Sequence, residues 1–149
     1  MQELEKIYEK LCKQEELLLK LEKKIEESQR RREEDYAIKQ KEQQIKDVLY
    51  EIKIFPHYTG FKYLEEAICI TVENPIVIEA VTKEIYPTVA SHFKTSQPSV
   101  DRGMRTAINS AWINGGFGET CPINTLKRLG RKPTNSEFIA IVADYIAGI

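Results

Sequence analysis

The stretch SVDRGMRTA, residues Ser99 to Ala107, places Asp101, Arg102, Arg105 and Thr106 close together, with Asn109 just beyond. These side chains can read base edges. Arginine bonds O6 and N7 of guanine bidentately, asparagine does the same to adenine, and an acid such as Asp101 either orients an arginine or accepts from cytosine. Ser96 and Ser99 suit phosphate oxygens, helped by the free backbone N–H groups of a helix start. The same residues also fit an ordinary solvated helix face. Asp101 and Arg105 stand at i, i+4, where a surface ion pair is worth only a few tenths of a kcal/mol. Gly103 is the odd member, because an interior glycine costs a helix about 1 kcal/mol relative to alanine. Its place at the flank of the polar face suggests close approach to a phosphate strand.

A helix must carry these groups. At about 100° per residue, Val100, Met104, Ala107, Ile108 and Ala111 fall on one side, with Trp112 at its edge. Ser99, Arg102, Arg105, Thr106 and Asn109 fall on the other. Ser96 is suited to N-capping, and Pro98 to the first turn, where its missing N–H is no loss. Upstream, IYPTVASHF reads as a shorter helix joined through KTSQ. Two helices, a tight turn and an outward polar face on the second describe a helix-turn-helix.

The charge distribution fits that face. The chain has 149 residues and a net charge of −1, so the total says nothing about polyanions. From Glu51 to Glu84, however, six acids face three lysines, whereas from Lys94 to Lys132 seven cations face two acids. A basic stretch steers toward phosphate even in a near-neutral protein. Cys12, Cys69 and Cys121 are unpaired in spacing and read as reduced thiols of a cytoplasmic protein. Apolar runs fall short of a membrane span, and the charged N-terminus does not read as a signal peptide. His57, His92, Cys69 and Cys121 lie too far apart in sequence to suggest a metal site. Gly115, Gly116 and Gly118 read as a helix stop and turn rather than a nucleotide cradle. With no catalytic constellation in view, the reading is of a non-enzyme without a cofactor.

Residues 1–46 contain neither Gly nor Pro. Leu4, Leu11, Leu18 and Ile25 recur every seven residues, with Ile7, Gln14 and Leu21 three places after the first three. That is a coiled-coil heptad, and these seven residues are the expected oligomerisation seam. With the Leu4 series at a, Lys10 and Lys24 fall at g, and Glu15 and Glu22 at e. A parallel pair can match Lys10 with Glu15 of its partner, while an antiparallel pair opposes like charges, so a parallel homodimer is expected. Beyond Gln29 the heptads lose step, which implies a helical connector and a globular domain over 47–149. Apolar spacing there is helical throughout. The expected fold is all-α, a coiled-coil helix followed by a compact six-helix domain containing a helix-turn-helix. Its last helix carries a capping-box signal, Thr134 with Glu137.

KPTNSEFIAIVAD (132–144), GFKYLEEAI (60–68), TKEIYPTVASHF (82–93) and SVDRGMRTAINSAW (99–112) resemble the C-terminal DNA-binding domain of the sporulation master response regulator of endospore-forming bacteria. The resemblance implies a six-helix effector domain that binds promoter boxes in double-stranded DNA and regulates transcription. It places base reading at Asp101, Arg102 and Arg105, adds Lys132 to Ser96 and Ser99 as phosphate contacts, and implies RNA polymerase as a further partner. It also implies a bacterial cytoplasmic, nucleoid-associated location. The chain departs from the family in having Asp101 for the usual glutamate, Gly103 for a small helix former and Thr106 for a histidine. The family's regulator begins with a phosphoacceptor receiver domain, where this chain has heptads. Self-association is therefore expected to be constitutive, without receiver control. The rival reading is an interaction module that antagonises a full-length regulator without productive DNA binding. A parallel dimer's twofold axis suits inverted half-sites, whereas same-orientation boxes require a flexible connector.

Overall fold

The computed structural model describes residues 1–148 and is all-α, with six α-helices and no strand among them. In chain order they are α1 (Gln2–Glu51), α2 (Thr59–Glu73), α3 (Tyr86–His92), α4 (Gln97–Ile113), α5 (Asn124–Arg128) and α6 (Asn135–Ala147). The chain forms two compact units, Met1–Gln40 and Lys41–Ile149. Helix α1 contributes to both.

Within the first unit nothing is buried. Leu4, Leu11, Leu18 and Ile25 are 54–70 % exposed, Ile7 and Leu21 are similarly open, and Gln14 lies on the surface between them. A single chain offers these apolar residues no partner surface.

The second unit has a continuous core. Ile45 and Leu49 at the end of α1 and Ile52 just past it are fully buried, as are Leu64 and Ile68 of α2, Met104 and Ile108 of α4, and Phe138, Ile139 and Val142 of α6, to within about a percent. Helix α2 packs on both α4 and α6, and α3 packs on α4. The link from α2 to α3 is irregular. Pro75–Ala80 winds as a tight 3-10 turn and Val81–Ile85 as a wide π turn. Val, Ile and Thr crowd this segment, and β-branched side chains favour the regular α-helix less.

Helices α1, α3 and α4 all end in one hydrogen-bonded pattern, a left-handed residue flanked by a six-to-one and a five-to-two bond. At α3 the left-handed residue is Lys94 (φ 52°), with Thr95 N–H bonding Ala90 O at 2.9 Å and Lys94 N–H bonding Ser91 O at 3.4 Å. At α4 it is Gly115 (φ 76°). The α3 stop turns the chain sharply and fixes the entry of α4.

Gly103 has a packing reason, which corrects the phosphate-approach reading. It lies at the crossing of α4 with the start of α2. A Cβ on Gly60 would stand 2.0 Å from Gly103 O, and one on Gly103 would meet the Tyr63 ring at 3.0 Å. The missing side chains let two helix backbones touch. Gly60→Ala must push backbone apart, so it is expected to destabilise the full chain by about 3 kcal/mol or more. Gly103→Ala meets only a ring edge and gains helix propensity of about 1 kcal/mol, so its effect is expected to be much smaller. Thermal melts of the two variants compare them directly, and equal losses would contradict this account of the crossing.

Candidate nucleic-acid interface

Helix α4 starts as its sequence dictates. Ser96 Oγ accepts from Ser99 N–H at 3.2 Å and lies 2.8 Å from Ser99 Oγ, with Pro98 in the first turn. Val100, Met104, Ala107, Ile108 and Ala111 are buried, which turns the opposite face outward. Arg102, Arg105 and Thr106 are exposed, and Asn109 is half-buried. Ser99, Arg102 and Thr106 border a cleft closed on its far side by His57 and Thr59 at the entry to α2. Arg102 makes no hydrogen bond or ion pair among the described residues.

The neighbouring cleft joins α4 to the segment entering α6, and Asp101, Arg105 and Lys132 line it. Lys132 Nζ donates to Asn109 Oδ1 at 3.2 Å, so two residues far apart in sequence meet on one surface. Arg105 Nη2 donates to Asp101 Oδ2 at 2.6 Å. This is the i, i+4 pair expected from spacing, but Asp101 is not a free surface carboxylate. Its Oδ1 accepts from Tyr86 OH at 2.9 Å and from Asn135 Nδ2 at 3.0 Å. Asn135 is 7 % exposed and also donates to Asp101 O at 3.1 Å. Burial raises the Tyr86 pKa above its ordinary value, which keeps the hydroxyl protonated and able to donate.

Tyr86 and Asn135 were not distinguished as site residues by the sequence. Tyr86 reads as a packing aromatic, and its ring is indeed buried. Asn135 sits within KPTNSEFIA, but no periodicity singles out one amide between a capping threonine and a serine.

The α6 start is built around its capping box. Thr134 Oγ1 accepts from Glu137 N–H at 3.2 Å, and Glu137 Oε1 accepts from Thr134 N–H at 3.3 Å. Arg131 grips both Glu137 oxygens at 3.0 and 2.7 Å. These bonds, the Arg131 pair foremost, hold the Glu137 carboxyl down to about 2 from an ordinary 4.5. A depressed carboxyl adds stability above the unfolded value and loses it as pH falls toward the folded one. Glu137→Ala is therefore expected to melt below wild type at pH 7, with the gap closing between pH 4.5 and about 2. A gap constant with pH would contradict this. The pair neutralises Arg131 as Asp101 pairs Arg105, which leaves Arg102 and Lys132 as the cations of the face without a carboxylate partner among the described residues.

No helix among the described residues is long and apolar enough to cross a membrane. A short helix, a tight turn and a second helix backed by core, with an outward face of arginine, serine, threonine and asparagine, define a helix-turn-helix effector domain of the DNA-binding class. The family model described as sporulation initiation factor Spo0A C terminal matches residues 45–146, and the chain belongs to that family. This is a family of DNA-binding regulator domains, not of enzymes, so the chain carries a DNA-binding effector-type domain.

Proposed function

We propose that the chain is a sequence-specific transcription regulator that reads promoter boxes through α4 and self-associates through the heptads of α1. One observation carries the DNA reading: Ser99, Arg102, Arg105, Thr106 and Asn109 share the face of α4 opposite its buried side, with Lys132 bonded onto it. Arg102 and Arg105 read bases, with Thr106 and Asn109 beside them. Ser96, Ser99 and Lys132 hold phosphates. Asp101 acts mainly through Arg105, because one of its oxygens is already held from within the domain.

The open apolar seam of Leu4, Ile7, Leu11, Leu18, Leu21 and Ile25, with Gln14 among them, supports a parallel homodimer. An extended exposed apolar stripe in a charged helix is a surface awaiting a partner. Such association does not wait on a phosphorylated receiver. The protein then works on the chromosome in the bacterial cytoplasm, with RNA polymerase a candidate contact. Genome-wide mapping of bound sites tests the reading. A recurrent short box upstream of genes is the expected result. Occupancy without any shared box would favour the antagonist, acting on a full-length regulator through protein contacts.

A further inference from the structure

Arg105 is 63 % exposed on its side chain and ends a long flexible arm. A solvated i, i+4 partner restrains such an arm weakly. Here the partner is itself immobilised. Tyr86, at the start of α3, and Asn135, at the start of α6, converge on the same Asp101 oxygen, while the other oxygen takes Arg105. Asn135 Nδ2 also lies 3.0 Å from Tyr86 OH, and its two hydrogens are shared among that hydroxyl, Asp101 O and Asp101 Oδ1, which knits the three residues together behind the carboxylate. The carboxylate cannot rotate without breaking these bonds. Arg105 is thereby tethered at one N–H, and its remaining donors are free for acceptors on a base pair.

Resting on the DNA reading of α4, we propose that Tyr86 and Asn135 are positioning residues for base recognition, acting through Asp101 to set the Arg105 guanidinium before DNA arrives. Neither residue touches DNA in this scheme. Their contribution is preorganisation, which raises affinity and selectivity by removing the cost of ordering a side chain on binding. Asn135 also ties α4 to the segment that carries Lys132. The distance between the base-reading arginine and its nearest phosphate-binding lysine is fixed by the same amide.

The test is selection from a pool of duplexes randomised across one box, using the full chain. Arg102→Ala and Arg105→Ala each erase preference at one position, which assigns the two reading positions. Tyr86→Phe, which keeps the ring packing, and Asn135→Ala are expected to weaken preference at the Arg105 position by about fivefold or more, leaving the Arg102 position intact. In an Arg105→Ala background, Tyr86→Phe should change preference no further. A structural role alone would lower total affinity and both preferences together, and that outcome overturns the proposal. Full preference in both Tyr86→Phe and Asn135→Ala, with loss in Arg105→Ala, overturns the positioning role and spares the DNA reading. An Arg105→Ala chain that keeps every preference overturns both.

Discussion

Replacing Arg102 and Arg105 together with alanine is expected to abolish box-specific binding while leaving the fold intact. Each bidentate arginine–guanine pair carries about 1–3 kcal/mol of discrimination. Each single variant should therefore lose roughly 5- to 150-fold in affinity for its box. The two are expected to differ in character. Arg102 has no partner among the described residues, so Arg102→Ala removes only DNA contacts. Arg105→Ala also leaves Asp101 Oδ2 without its cation, adding a bare carboxylate to the proposed DNA-facing surface. Both arginines are exposed, so thermal melts should match wild type closely. Gel shifts at moderate salt check the affinities. Variants that bind like wild type would remove α4 from the reading role.

The second large effect concerns the seam of α1. Leu11→Glu with Leu18→Glu puts charge at two successive a positions, where the structure leaves both leucines more than half exposed for a partner. Glutamate keeps helix propensity, so the helix itself should persist. The full chain is expected to sediment as a dimer and this variant as a monomer. On a duplex carrying two boxes, loss of the second tethered domain should cost about 10²- to 10⁴-fold, while affinity for one box stays unchanged. Varying the orientation and spacing of the boxes then reports whether the dimer selects one arrangement. A wild-type chain that is monomeric at micromolar concentration would contradict the coiled-coil reading.

Much of the architecture was legible because it rests on periodicity and local chemistry. The buried side of α4, the Ser96 cap and the Thr134–Glu137 box follow from spacing of a few residues, and each is found where its pattern lies. The tight turn before α4 was equally plain, although its left-handed residue is a lysine rather than a glycine. What escaped depends on contacts between distant segments. Gly103 looks like a flank of the polar face until Gly60 and Tyr63 are seen against it. Tyr86, Asp101 and Asn135 come from three helices, and no short-range rule links them. The winding between α2 and α3 alternates between tight and wide turns, for which apolar spacing has no distinct signature.

Discrimination between one DNA sequence and another is the role proposed for α4. Its most direct test is a fluorescence-anisotropy titration of the full chain, at about 150 mM salt, on a duplex bearing the selected box and on the same duplex with the box permuted. Specific binding is expected to exceed the permuted control by about 10³-fold or more. Equal affinity for the two duplexes would contradict it.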